Sequence, residues 1–280
     1  MLQEKRLFFL GAGSMSEAII KGIVEAGLIA PQQIVISNRN RAARLQDLGN
    51  RYDVRICQNK EAEIAGADII VLAMKPFDLV DALSEVSAAI SARQLVISVA
   101  AGVSTAAIEQ CLPEGVPVIR SMPNTSSFVQ ASATAISQGT WATSQHIAVA
   151  QAFFSAIGIS VVVAEKDLNA VTGLSGTGPA YIYYVVEALM EAGLSCGLSA
   201  DTCRALLEQT VYGAAQMLRE TGKDPAELRR QVTSPNGTTM AAMTVLEQGD
   251  AQRLFIHAMQ RATQRAAEMG QQASRQPIHS

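Results

Sequence analysis

Apolar residues fall in short unbroken runs through the first half of the chain, within Arg6–Leu10, Ile34–Ile36, Asp68–Ala73, Leu95–Val99 and Pro117–Ser121. A strand with continuous apolar character is buried on both faces, as parallel strands are between two helix layers. The stretches between the runs supply the helices, and their spacing predicts them over 17–26, 41–48 and 77–90. A doubly wound α/β domain follows, extended by strands at Ala131–Ser137 and Ile159–Ala164. From Glu165 onward strand signals stop and the chain reads as helix. The expected organisation is two domains, 1–164 and 165–280, with no proline- or serine-rich linker between them, so close packing of the two is expected. That division suits 280 residues at 49% hydrophobic content, enough for two modest cores.

The first strand runs directly into Gly11-Ala12-Gly13-Ser14-Met15-Ser16 and then a helix, the order that a dinucleotide pyrophosphate requires. Gly11 permits the tight turn, Gly13 lets the backbone approach the phosphates, and the third position needs only a small side chain, here Ser16 where glycine or alanine is commoner. A bare Gly-x-Gly arises often by chance, and the strand and helix on either side are what give this one weight. At the end of the second strand, Asn38, Arg39 and Arg41 stand where an NAD enzyme usually places an acid; none appears before Asp47. Hydrogen-bond donors and positive charge fit a ribose 2′-phosphate, so NADP(H) is expected ahead of NAD(H), the weaker alternative. The bland reading makes both arginines the solvated start of the next helix, although cations there oppose the helix dipole. Three more segments end strands where open sheets bind ligands: Ala73-Met74-Lys75-Pro76, Ala100-Ala101-Gly102 and Ser121-Met122-Pro123-Asn124-Thr125. Lys75 suits a cofactor hydroxyl or phosphate and Asn124 a carboxamide or substrate group, though each segment alone reads equally as a turn.

Near the other end, Val232-Thr233-Ser234-Pro235-Asn236-Gly237-Thr238-Thr239 opens a helix with hydroxyls and free amides and without an acid. Ser234 suits a cap and Pro235 the first helical position, and Gly237, Thr238 and Thr239 can aim N–H groups and hydroxyls at a small carboxylate. A net charge of -3 argues against a nucleic-acid surface. The apolar runs are short for a membrane span, and the amino end enters a strand at once, so no membrane segment or signal peptide is expected and a cytoplasmic protein is. Cys57, Cys111, Cys196 and Cys203 lack Cys-x-x-Cys spacing and read as reduced, mostly buried thiols. His146, His257 and His279 are scattered, so no metal site is expected. The polar tail after Gly270 reads as frayed.

Together these residues resemble the pyrroline-5-carboxylate reductases, which make proline by reducing a cyclic imine with NADPH. The resemblance covers nearly the whole chain through Gly11–Met15, Met74–Pro76, Ala100–Val103, Met122–Thr125, Gly173-Leu174-Ser175-Gly176-Thr177-Gly178-Pro179-Ala180-Tyr181 and Ser234–Thr239. The last two segments are the most specific. Two positions depart: Ser126-Ser127 follows Thr125 where the family often has proline, and Asn236 replaces a common glycine, a change that asparagine's tolerance of left-handed backbone absorbs. The resemblance implies a Rossmann-like, doubly wound, mostly parallel sheet followed by an all-α helical dimerisation domain. It implies that Ser234, Gly237 and Thr238 bind the substrate carboxylate and that Thr239, the catalytic residue, meets the ring nitrogen. Gly11, Gly13, Ser14, Met15, Asn38, Arg39, Ala73, Lys75, Pro76, Ala100, Asn124, Ser175 and Gly176 are the implied cofactor residues, with Gly178 helping to shape the pocket.

Two other readings stay open. One is a related imine or β-hydroxyacid oxidoreductase, although the lysine that the hydroxyacid type uses within its helical domain has no good counterpart in Lys166 or Lys223. The other is a nucleotide-binding regulatory protein without turnover. Apolar stripes at Phe255, Met259, Ala262, Ala266, Met269 and at Ile182, Val186, Leu189, Gly193 fit an intrachain core or a contact between two chains. The resemblance implies the latter: a homodimer with intertwined helical domains, and rings built from such dimers.

Overall fold

The computed structural model describes residues 2–274. Strands form at β1 (Leu7–Leu10), β2 (Ile34–Ser37), β3 (Arg55–Ile56), β4 (Ile69–Leu72), β5 (Leu95–Ser98), β6 (Val118–Met122), β7 (Ser132–Gln138) and β8 (Gly158–Val162). They build one eight-stranded sheet in the order β3-β2-β1-β4-β5-β6-β7-β8. Each apolar run yields a strand because both of its faces find a core. Leu7, Phe9, Ile34, Ile36, Ile69 and Val71 point into one apolar cluster, whereas Phe8, Leu10, Val35, Ile70 and Leu72 point into the other. α1 (Ser14–Glu25) and α2 (Ala42–Tyr52) cover the first face, with Ile19, Ile20, Ile23 and Leu48 fully buried. α3 (Lys60–Gly66), α4 (Leu79–Ser84) and α5 (Thr105–Glu109) cover the second with Ile64, Leu79, Leu83 and Ile108. Full burial of one such side chain stabilises the fold by roughly 1.5–3 kcal/mol.

Three departures from the sequence pattern have physical causes. β3, two residues long and half outside the core, carries no apolar run to announce it. The single helix expected over 77–90 is broken into a 3-10 turn (Pro76–Asp78), α4 and a second 3-10 turn (Ser87–Ala89). Pro76 lacks a donor and starts the first turn. β7 runs antiparallel to β6, since the Thr125–Val129 3-10 turn that joins them is too short for a helical crossover. α6 (Ser144–Phe154) then restores a parallel pairing of β7 with β8, with Phe153 and Phe154 stacked edge to face at 5.1 Å.

Past β8 the chain is helical: α7 (Leu168–Val171), a π-helical turn (Thr172–Gly176), α8 (Gly178–Ser195), α9 (Ala200–Thr221), α10 (Pro225–Gln231), α11 (Thr238–Gln248) and α12 (Ala251–Ser274). α12 carries the chain four residues past Gly270; the rest of the tail expected to fray lies outside the described residues, as does His279. By packing, one compact unit holds the residues up to Pro179 together with the chain from Gln260, and Ala180–Met259 forms the other. The strands thus end close to the expected 164/165 boundary, but the first unit keeps α7 and the π turn and regains the last turns of α12. Within Ala180–Met259, Ser199 caps α9 and Asp224 caps α10, while Gly193 lets α8 approach Cys203 of α9. Cys203 is the one buried hydrophobic residue described in that unit, whereas Tyr184 and Val245 are 71% and 68% exposed. Such a unit has helices and apolar surface but scarcely a core of its own. Among the described residues no helix is long and apolar enough to cross a membrane.

Candidate functional site

A cavity of about 830 Å³ opens at the carboxyl ends of β1, β2, β4 and β5. Its walls bring together Gly11, Gly13, Ser14 and Met15 after β1, Asn38 and Arg39 after β2, Ala73, Lys75 and Pro76 after β4, and Ala100 after β5. Ten of the expected cofactor residues therefore share one cleft. Gly11 has φ +111, and a Cβ there would lie 2.6 Å from the Ala73 carbonyl oxygen. That turn is closed to any other residue. Gly13 differs: its φ is ordinary at -79, and the nearest atom to an added Cβ is 4.0 Å away. Nothing in the protein demands glycine at that position, whereas a phosphate drawn close to the backbone does. Gly13 is also the N-cap of α1 without a side-chain cap, and Glu17 N–H is the first helical donor to find its carbonyl, at 3.0 Å. The amides of Ser14, Met15 and Ser16 open the helix ahead of that bond, a donor set suited to a pyrophosphate. Ser16 fits in place of glycine because its buried hydroxyl donates to the Gly11 carbonyl at 2.7 Å.

An acid in the first turn of α1 would repel phosphate, and Glu17 is such an acid. Two arginines of α2 offset it. Arg44 bonds the Glu17 carboxylate and reaches the Ala12 carbonyl at 3.4 Å, Arg51 pairs with it at 2.6 Å, and the Tyr52 hydroxyl donates to it at 3.2 Å. Burial pushes the Glu17 carboxyl up, but these partners outweigh it and hold the group below the usual range. Arg39 and Arg41, by contrast, have no carboxylate partner among the described residues; Arg41 is the N-cap of α2. Lys60, Asp78, Ala82, Glu85 and Met269 also line the cleft without a sequence signal. Lys60 and Glu85 form an ion pair at 3.2 Å from segments too far apart in sequence to be linked by spacing.

Asn124, Ser175 and Gly176 are not in the walls of this cleft; they form a second cluster at the end of β6. Asn124 is buried, and its Nδ2 donates to the Ser175 carbonyl at 3.0 Å. A Cβ on Gly176 would meet Met122 Cε at 2.6 Å. The backbone there is a π turn, closed by Thr177 N–H to the Thr172 carbonyl at 2.8 Å, a geometry that recurs at functional sites.

In the helical unit the 234–239 loop differs from the expectation. α11 begins at Thr238, so Ser234 is not its cap and Pro235 is not its first residue. Ser234 to Asn236 form a turn closed by Gly237 N–H to the Ser234 carbonyl at 3.1 Å, with Asn236 at φ +58 in the left-handed region. Turn closure leaves Gly237 as N-cap, and Ala241 N–H is the donor that returns to it, at 3.2 Å. The amides of Thr238, Thr239 and Met240 thus open the helix. Ser234 Oγ stands 2.3 Å from where a Gly237 Cβ would lie, so its hydroxyl covers the same end of α11. A helix start with free amides is therefore present, but Ser234, Pro235 and Gly237 hold other places in it than the sequence suggests. Among the described residues no group of three or more His, Cys, Asp or Glu is placed to hold a metal ion; the four cysteines are unpaired, but against expectation Cys203 alone is buried, with Cys57 and Cys111 half-buried and Cys196 exposed near the end of α8.

This sheet, with its glycine turn and cleft, defines an oxidoreductase that takes a nicotinamide dinucleotide. Residues 6–102 match the family described as NADP oxidoreductase, coenzyme F420-dependent, and residues 165–269 match pyrroline-5-carboxylate reductase dimerisation. Pyrroline-5-carboxylate reductase 2 of Bacillus subtilis is 40% identical over 96% of both chains. The structure of a pyrroline-5-carboxylate reductase from Coxiella burnetii is similar with TM-score 0.87 and 36% identity, covering 95% of this chain and 98% of that one. That of Plasmodium falciparum pyrroline carboxylate reductase with NADP bound has TM-score 0.85 and 25% identity, covering 96% and 100%. The chain belongs to the pyrroline-5-carboxylate reductase family, and its helical part is the dimerisation domain of that family.

The Glu17 network has a pH signature. The folded carboxyl titrates below the unfolded one, so its contribution is present above the unfolded carboxylate range and is lost as pH falls through the lowered one. Glu17→Gln is expected to flatten the acid-side loss of stability, read as urea midpoints from pH 7 downward. An unchanged slope would show the network to be without weight.

Proposed function

We propose that this protein is a pyrroline-5-carboxylate reductase that reduces Δ1-pyrroline-5-carboxylate to L-proline with NADPH, the last step of proline biosynthesis. The observation that carries this reading is the 40% identity to pyrroline-5-carboxylate reductase 2 of Bacillus subtilis over 96% of both chains. Bound NADPH supplies the hydride. The Gly11–Met15 turn holds the pyrophosphate, Asn38 and Arg39 hold the adenosine ribose and its phosphate with Arg41 beside them, and Ala73, Lys75, Pro76 and Ala100 wall the dinucleotide. Asn124 fixes the π turn through the Ser175 carbonyl, and Ser175 with Gly176 shapes the nicotinamide end. The amino end of α11, with Ser234, Gly237 and Thr238, takes the substrate carboxylate, and the Thr239 hydroxyl meets the ring nitrogen. A protonated imine is already an electrophile, so orientation rather than an acid–base pair does most of the catalysis. Lys166 and Lys223 are both exposed, and Lys223 pairs with Glu227 at 3.4 Å, which speaks against lysine-based hydroxyacid chemistry.

Division of labour follows: residues 1–164, joined by Ser175 and Gly176, hold most of the cofactor, and the helices of 165–280 hold the substrate and the partner chain. NAD(H) is a weaker alternative cofactor. Unsatisfied apolar surface on 180–259 supports a homodimer with intertwined helical domains; a ring built from such dimers and a cytoplasmic location belong to the same proposal.

Purified protein is expected to oxidise NADPH when given Δ1-pyrroline-5-carboxylate; folded, NADPH-binding protein that stays silent would refute the activity. Thr239→Ala should lower kcat about fivefold or more with NADPH affinity unchanged, since it removes a hydrogen bond of order 1 kcal/mol at the reacting ring. Equal loss of NADPH binding would contradict that role.

Replacing Arg39 and Arg41 together with Ala is expected to weaken NADPH and flatten its salt dependence while leaving NADH nearly unchanged. Parallel loss of both cofactors would make the arginines structural.

Shared sites predict rescue between chains. Thr239→Ala protein mixed with a variant broken at Gly11 and Gly13 should recover activity after subunit exchange. An active monomer, or no recovery despite proven exchange, would rule out shared sites.

A further inference from the structure

One wall of the dinucleotide cleft comes from a segment remote from the fingerprint. Met269, near the end of α12, lines the cleft together with Val99, Ala100 and Ala101. Ala266, Met269 and Gly270 fall at i, i+3 and i+4, so they share one helix face. Ala266 and Gly270 are buried and Met269 is half-buried. What they meet is Gly102, which directly follows Ala100-Ala101 and has φ +82. A Cβ on Gly102 would lie 3.0 Å from the Ala266 carbonyl oxygen and 3.0 Å from Gly270 N, and a Cβ on Gly270 would lie 2.2 Å from the Gly102 carbonyl oxygen. Helix backbone and loop backbone therefore touch with no side chain between them. That contact fixes both the rotation and the height of the helix end, and with them the direction of Met269.

We propose that Met269 is a cofactor-contacting residue on the nicotinamide side of the cleft, and that the Gly102–Gly270 contact is the device that positions it. This rests on the reading of the cleft as the NADP(H) site. Sheet order sets which part of the dinucleotide it meets. Asn38 and Arg39 follow β2, whereas Ala100 follows β5, and β2 and β5 are three strand spacings apart, about 14 Å. Met269 thus stands on the side of the cleft away from the proposed 2′-phosphate residues. A flexible, polarisable thioether suits an apolar wall against a ribose or ring face. NADPH and NADH should feel its loss alike, the opposite of the selectivity proposed for Arg39 and Arg41.

The test is a fluorescence titration of the full-length protein with NADPH and with NADH. Met269→Ala should weaken both cofactors by about fivefold, and Met269→Leu should stay within about twofold of the parent. Met269→Glu, which sets a carboxylate facing an anionic ligand, should weaken both by about tenfold or more and make binding salt-dependent. Gly270→Ala should reproduce the Met269→Ala loss; if it fails to fold, the partly exposed Met269 variants decide alone. Parent protein that binds neither cofactor overturns the cleft reading and the inference with it. Parent protein that binds, with Met269→Ala and Met269→Glu binding both cofactors as well as it does, overturns the inference alone, as does a loss confined to NADPH.

Discussion

Ser37, Leu10, Leu72 and Ser98 stand side by side where β2, β1, β4 and β5 end, because the four strands are paired in parallel and in register. Every loop of the cleft leaves the sheet from that line. Asn38, Gly11, Ala73 and Val99 are each the next residue along, so a slip of one residue in any strand would withdraw its loop from the cleft and turn its side chains to the wrong layer. Packing resists such a slip, because Phe9 fills one core cluster and Phe8 the other, and a slip would exchange side chains between two differently shaped layers. The anion-binding turn depends on this line directly: Gly11 approaches the Ala73 carbonyl so closely that the two strand ends and the glycine specify one another.

Behind the turn, the structure resolves a conflict built into its own sequence. α1 offers free amides and the positive end of its dipole to an anion, yet carries Glu17 in its first turn. Arg44 and Arg51 neutralise that carboxylate, and Arg44 also reaches the Ala12 carbonyl, so the charge balance and the shape of the loop are set by the same side chain. Positive charge on α2 is thus divided into two sets. Arg44 and Arg51 are consumed internally, while Arg39 and Arg41 precede the helix without an acid among the described residues to hold them.

Much of the nucleotide half was legible because its signals are local. An apolar run means a doubly buried strand, and a glycine that follows one means a turn against the neighbouring strand; ten cofactor positions, taken from these strand ends and from the family resemblance, meet in one cleft. What escaped was non-local or ambiguous in period. β3 has no run, the break in 77–90 falls after Ser84 at helix ends that sequence places loosely, and α11 starts later than its sequence suggests because Ser-Pro is also a turn sequence. Asn236 was the better clue: its left-handed φ was foreseeable from its replacing a glycine, and that conformation ends the turn just before Gly237 caps the helix. Lys60 with Glu85, and Met269, meet the cleft only through tertiary structure, which no spacing along the chain encodes.

The stripe on α12 shows the limit most sharply. Phe255, Met259, Ala262, Ala266 and Met269 keep one period, and a single partner surface is the simplest inference from it. The structure gives its two ends different neighbours: Phe255 stacks edge to face on Tyr181 at 6.5 Å within the helical unit, while Ala266 is buried against the Gly102 turn of the nucleotide unit. A helical period reports only that one side of a helix leaves water. Whether that side meets a core, a glycine turn or a second chain depends on residue size, since Gly270 admits a backbone where a larger side chain would hold it off. The exposed apolar side chains that remain on 180–259 have no such partner within their unit, and in a family whose matching segment is a dimerisation domain, a second chain is what their chemistry calls for.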